Sequence, residues 1–163
     1  MLRRILQADI GSVMRRPVFA SRISAGFPSP ADDFVEGSLD LNKHLIDHPA
    51  ATFFLRVAGE SMTGAGIHPG DLLVVDRSLT PRHNDIVIAV LHGELTVKRL
   101  WRAVSSGASK GDKRSDKKGD KKGDKKGWIL HPENPAFPDQ PLPPEAEIWG
   151  VVSHAIKGFR STR

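Results

Sequence analysis

The sequence predicts a mainly β domain, a compact antiparallel sheet or half-open barrel with one short helix and a flexible N-terminal arm. Three observations predict it. Six short apolar runs of strand length, 51–57, 71–76, 85–91, 94–101, 128–131 and 148–156, are separated by turn residues. A two-residue His92-Gly93 link joins two of these runs as a hairpin. Helical spacing of apolar positions occurs in one stretch, Leu41, Leu45 and Ile46.

Along the chain, residues 1–25 show no sustained helical or alternating period. They lead into Phe27-Pro28-Ser29-Pro30, where two prolines remove backbone donors and favour extended chain. Residues 1–41 are read as an arm and residues 42–160 as the folded domain. The spacing predicts a helix over 41–48, with Asp40 as N-cap and Pro49 just beyond its end. His44 and His48 stand four apart, but no third ligand accompanies them, so a solvated helix face is expected and no metal or cofactor is assigned. In the hairpin's second run, Leu95, Val97 and Trp101 alternate with Thr96, Lys98 and Leu100. Shuffled Gly, Pro and polar turns between short strands fit a small antiparallel β architecture.

Residues 105–127 break this pattern, with a tandem Gly-Asp-Lys-Lys unit and no large apolar residue. Such a composition cannot build a core, so a disordered expansion of a hairpin loop is expected. Lengthening a loop from about 5 to about 23 residues costs roughly 1 to 1.5 kcal/mol by the logarithmic closure law. The fold can carry it.

The formal charge of +5 is concentrated in these two stretches. Residues 1–25 hold five arginines against one aspartate, and residues 105–127 hold nine basic against four acidic residues. The remainder has ten basic and fourteen acidic residues, so the presumed folded body is mildly acidic. Direct DNA contact through the arm and insert stays open, but the interleaved aspartates dilute that charge. Cysteine is absent, which excludes disulfides, thiolate metal sites and a cysteine nucleophile. No apolar run approaches the roughly 18 residues of a membrane span, and the N-terminal residues lack a secretory apolar core, so a cytoplasmic address is expected.

Gly59-Glu60-Ser61-Met62-Thr63 follows the run 51–57 directly, which places Ser61 where a strand ends and the chain turns. A serine hydroxyl attacks poorly until a base removes its proton, and no histidine here has a context that marks it as that base. Lys98 lies within an otherwise apolar strand, where burial would lower its pKa and supply a neutral amine. Backbone N–H groups of the turn, at Ser61 and Met62, would stabilise an oxyanion, with Gly59 allowing close backbone approach. Taken on their own, the same residues are more simply a turn serine and a surface lysine whose ammonium reaches water.

Read together, GESM, PGDLLVVDR and DIVIAVLHGELTVKRL, in that order and spacing, with the ending EIWGVVSHAIKGFR, resemble the UmuD branch of the LexA family. The resemblance covers residues 26 to 101 and 128 to 160. It implies a signal-peptidase-like β fold and a Ser-Lys dyad, with Ser61 and Lys98 at the matching positions. It also implies self-cleavage at a small-residue-glycine bond ahead of the body, and Ala25-Gly26 occupies that place. The family's hairpin is normally short where residues 105–127 stand, so the insert is a departure. In a UmuD-like bacterial protein, cleavage is stimulated by a RecA filament on single-stranded DNA during the SOS response. The shortened homodimer then serves a UmuC-type Y-family translesion polymerase. About 25 residues precede the expected scissile bond, too few for the winged helix of a LexA repressor. Two other functions remain in view: a non-cleaving dimeric binding module of the same fold, and a nucleic-acid-binding protein using the basic arm and insert.

Overall fold

Valine, isoleucine and leucine dominate 72–76 and 86–91, and residues so branched and apolar are stable as strands only when neighbours cover both faces. The computed structural model describes residues 5–7, 15–19, 35–103 and 127–160. Among them are ten strands: β1 (Ile5–Gln7), β2 (Arg15–Phe19), β3 (Val35–Asp40), β4 (Thr52–Arg56), β5 (Leu72–Asp76), β6 (Ile86–Leu91), β7 (Glu94–Arg102), β8 (Trp128–His131), β9 (Gln140–Pro141) and β10 (Glu147–Ile156). One α-helix, α1 (Leu41–Leu45), joins them. Eight strands form a sheet in the order β1-β4-β5-β10-β6-β7-β8-β9, every neighbour antiparallel, and β2 pairs with β3 separately. The outer strands β1 and β9 do not pair with each other, so the sheet stays open. The expected antiparallel β class with a single short helix is what the chain adopts. No helix among the described residues is long and apolar enough to cross a membrane.

β10 joins the halves of the sheet. Its Val151 faces Asp76 of β5 on one side and Val87 of β6 on the other, and its register shifts twice, at 148/150 and 152/154. Such irregularities bend and twist a strand, which lets one ladder hand over to the other. Two apolar clusters result. Leu55, Val57, Met62, Ile67, Leu73, Val75, Ile88 and Val97 form one; Val87, Ala89, Leu100, Leu130, Leu142, Ala146 and Val151 form the second. Val97 and Leu100, on opposite faces of β7, therefore serve different cores.

The hairpin link behaves as its sequence predicts. His92 and Gly93 both take positive φ, 51° and 80°, and Leu91 pairs with Glu94 across them. Two successive left-handed residues match the twist of the flanking strands. The helix is shorter than expected. Asp40 caps it by accepting from the Asn42 N–H at 3.1 Å, but Ile46 is already extended at φ −126°. Pro49 bars any continuation to His48, because the residue before a proline is driven out of helical geometry, and His48 sits at φ −125°, ψ 82°. His48 is thus off the helix. Its Nδ1 lies 2.6 Å from Oδ2 of buried Asp76, whose Oδ1 accepts from Ser78 N and Oγ.

Three strands fall within the stretch expected to be an arm: β1 on the edge of β4, and the β2–β3 pair. Their partners lie far along the chain, so local periodicity does not announce them. The expected Ala25-Gly26 scissile bond and residues 105–126 of the expected insert lie outside the described residues. The described strands on either side of it meet, since Arg102 pairs with Trp128.

Two predictions follow from this packing. A Cβ at Gly150 would stand 2.7 Å from Val75 Cγ1 and 3.2 Å from the Asp76 carbonyl oxygen. Gly150→Ala is therefore expected to lose about 1 to 3 kcal/mol in urea unfolding, as overpacked cores do. Gly37→Ala, with open space at its Cβ, should change stability by less than about 0.5 kcal/mol. The second concerns pH. Hydrogen bonding and charge attraction from Asp76 raise the His48 pKa above 6.5. Burial works against ionised Asp76, but the bonds from Ser78 and His48 hold it below 3.8. The pair therefore stabilises fully between those limits, fading as pH rises through the His48 pKa and as it falls through that of Asp76. His48→Gln should flatten the decline in stability above pH 6.5 that wild type shows in chemical unfolding.

Candidate active site

Ser61 sits in a loop closed at its neck by backbone bonds. Val57 N donates to the Asp71 carbonyl and Gly70 N to the Val57 carbonyl, both at 2.9 Å. Asp71 holds the far side of the loop: its Oδ2 accepts from His68 N and from Lys157 Nζ, each at 2.8 Å. Desolvation opposes the Asp71 charge, but those bonds win and its pKa falls below the ordinary carboxylate value. Inside the loop the chain makes a single 3-10 turn, Thr63–Ala65, ended by Gly66 at φ 77°. Met62 anchors this turn. Its side chain is buried in the same cluster as Val97 and Ile88, next to the strand position of Lys98. Gly59, two residues before Ser61, has φ 142°, a conformation that glycine adopts at little steric cost.

Lys98 enters from β7, opposite Val87 of β6. It is 8% exposed, an unusual state for lysine, and desolvation lowers its pKa from 10.5. Among the described residues no carboxylate pairs with it. Its Nζ instead lies 2.9 Å from Ser61 Oγ, 3.0 Å from Thr96 Oγ1 and 3.0 Å from the Val97 carbonyl oxygen. A neutral amine has two N–H donors and one lone pair. Val97 O can only accept, and a hydroxyl can do either, so the set accommodates an amine whose lone pair receives the Ser61 proton. Chemically, this is a hydroxyl beside a shielded base.

A second segment closes over the turn from outside. Gly64 N donates to the Glu133 carbonyl at 2.8 Å, and a Cβ on Gly64 would come within 1.9 Å of that oxygen. Asn134 Nδ2 donates to the Glu60 carbonyl at 3.0 Å, while its Oδ1 accepts from Ala136 N. The Glu133 carboxylate pairs with Arg99, the residue after Lys98.

The structure brings together Ser61 and Lys98, with Gly59 and Met62 in the same turn as Ser61. Thr96, on the strand face shared with Lys98, adds a contact to the amine that the sequence reading did not assign. Glu133 and Asn134 carried no recognisable signal, because their contacts run to residues far away in the chain. Ala25 and Gly26 lie outside the described residues. Among the described residues no group of three metal-ligating side chains gathers anywhere.

Residues 17–108 match the family described as Peptidase S24-like. The chain is 44% identical to SamA of Salmonella typhimurium over 146 residues, which is 90% of this chain and 88% of that protein. It is 65% identical to ImpA of Escherichia coli over 85 residues, 52% of this chain, and spans 59% of the length of ImpA. A LexA repressor from Carboxydothermus hydrogenoformans is 36% identical over 88 residues, 54% of this chain and 43% of the repressor.

The buried amine gives a stability prediction independent of activity. Lys98 has a lowered pKa in the fold, so between that value and 10.5 the unfolded chain binds more protons than the folded one. Stability then rises with pH across that window. In Lys98→Met that contribution is absent. The stability of Lys98→Met minus that of wild type, from urea unfolding at a series of pH values, should shrink as pH climbs toward 10.5.

Proposed function

Because the chain belongs to the Peptidase S24-like family, of the LexA/UmuD type, we propose that it is a self-cleaving serine peptidase, with Ser61 as nucleophile and Lys98 as base. The observation that carries this reading is the 2.9 Å approach of Lys98 Nζ to Ser61 Oγ, in a setting that desolvates the amine and, among the described residues, offers it no counter-charge. Lys98 takes the hydroxyl proton as Ser61 Oγ attacks the Ala25 carbonyl carbon. Charge on the tetrahedral oxygen is met by backbone N–H groups of Ser61 and Met62. Lys98 then returns the proton to the departing Gly26 nitrogen, leaving an ester between Ser61 and Ala25. Water, activated by the same amine, hydrolyses that ester. Small side chains at Ala25 and Gly26 suit a tight approach of the backbone to the serine.

The wider role we propose is that of a UmuD-like SOS mutagenesis protein of the bacterial cytoplasm. A RecA filament on single-stranded DNA promotes cleavage, and the homodimeric product acts as accessory subunit of a UmuC-type Y-family translesion polymerase. Similarity to SamA and ImpA along the folded body supports this reading.

Purified protein is expected to release a fragment beginning at Gly26 at a rate that rises with pH and levels off once Lys98 is neutral. RecA filaments should bring cleavage down to neutral pH. Ser61→Ala and Lys98→Ala should each lower the rate by about a thousandfold or more, as loss of a nucleophile or its base does. Mass spectrometry across about pH 7 to 10 reads the outcome. Undiminished cleavage in both variants would refute the dyad, and a wild type that stays intact even with RecA filaments would favour a non-cleaving binding module.

A further inference from the structure

We infer that Asn134 is a positioning residue that aims the Ser61 backbone N–H at the site of the developing oxyanion, an inference resting on the dyad reading above. A trans peptide points its carbonyl and the following N–H in opposite directions. Whatever fixes the Glu60 carbonyl therefore fixes Ser61 N–H. Three donors converge on that oxygen: Thr63 N at 3.3 Å, Thr63 Oγ1 at 3.1 Å and Asn134 Nδ2 at 3.0 Å. The two from Thr63 belong to the turn itself and would move with it. Asn134 alone of the three ties the peptide to another segment, the loop between β8 and β9, 74 positions away.

The orientation of the Asn134 amide is set by its other end. Its oxygen accepts from Ala136 N at 3.0 Å, which leaves Nδ2 as the atom that meets Glu60. Gly64 N on the Glu133 carbonyl makes a second clamp in the same place, and the space that glycine leaves is what lets the two segments meet. With the Glu60 carbonyl gripped on the outer side, Ser61 N–H is turned inward. No backbone carbonyl among the described residues accepts from Ser61 N or Met62 N, so both donors are left for a substrate oxygen. A donor already in place when charge forms needs no reorganisation, and removing one such donor elsewhere costs about 100- to 1,000-fold in rate. Loosening a donor by removing its positioning bond should cost less.

The test is Asn134→Asp, which keeps an oxygen for Ala136 N but cannot donate to the Glu60 carbonyl when ionised. Asn134→Ala serves as its uncharged counterpart. First-order self-cleavage is followed over pH, beside thermal unfolding, with wild type and Ser61→Ala as references. Both Asn134 variants should lower the plateau rate about 10- to 100-fold. Asn134→Ala should leave the pH midpoint of the rate where wild type has it and should melt as a folded protein. Wild-type plateau rates in both variants overturn the inference while leaving the dyad intact. So does a loss of rate in Asn134→Ala that comes wholly from a displaced midpoint, since Asn134 would then act through Lys98. A wild type that does not cleave, or cleavage that survives Ser61→Ala, removes the dyad reading and this inference with it.

Discussion

An amine withdrawn from water, with no carboxylate beside it among the described residues, is the constraint around which this molecule is arranged. Burial of lysine is costly in its charged state, and the neutral state is favoured only if the group cannot swing back to solvent. Its strand prevents that. Val97 and Leu100 are locked into separate apolar clusters, and a slip of β7 by one residue would turn every side chain to the opposite face. Register with β6 thus fixes the amine, and the buried Met62 fixes the hydroxyl against the same cluster. Thr96 Oγ1 and the Val97 carbonyl satisfy the amine in place of water.

Precision at the serine comes from the opposite quarter of the chain. The loop that carries Ser61 is closed at its neck by the Val57–Asp71 and Gly70–Val57 bonds, and its tip rests on Glu133 and Asn134. A short turn with a single 3-10 helix has little stability of its own. Ordering it from two sides holds the Ser61 hydroxyl on an irregular segment, where a regular strand would give its N–H groups to a ladder. Lys157 on Asp71 extends the same support to the C-terminal end of the described chain.

Much of this was legible in the residues. All six predicted runs are strands to within one or two residues, because each combines branched apolar residues with turn residues at its ends. The His92-Gly93 turn was legible for the same local reason. Four strands were not. β1 is held by β4 far along the chain, β2 and β3 by each other, and β9 is only two residues long; none has periodicity of its own strong enough to show. The helix was overextended because apolar spacing continued past Leu45 while the influence of Pro49 reached back to His48. Composition alone left Ser61 and Lys98 unremarkable. They lie 37 positions apart, and resemblance to a family joined them before geometry did. Asn134 had neither a local pattern nor a motif to mark it.

The paired ends of β7 and β8 have a consequence of another kind. Arg102 faces Trp128, so the chain leaves the ladder and returns to it at one rung. Whatever length of polypeptide spans that gap, the strands on either side meet in the same alignment. This makes the rung a natural splice point. A reporter, an affinity handle or a pair of new chain termini could be introduced there while the hydroxyl and amine keep their places.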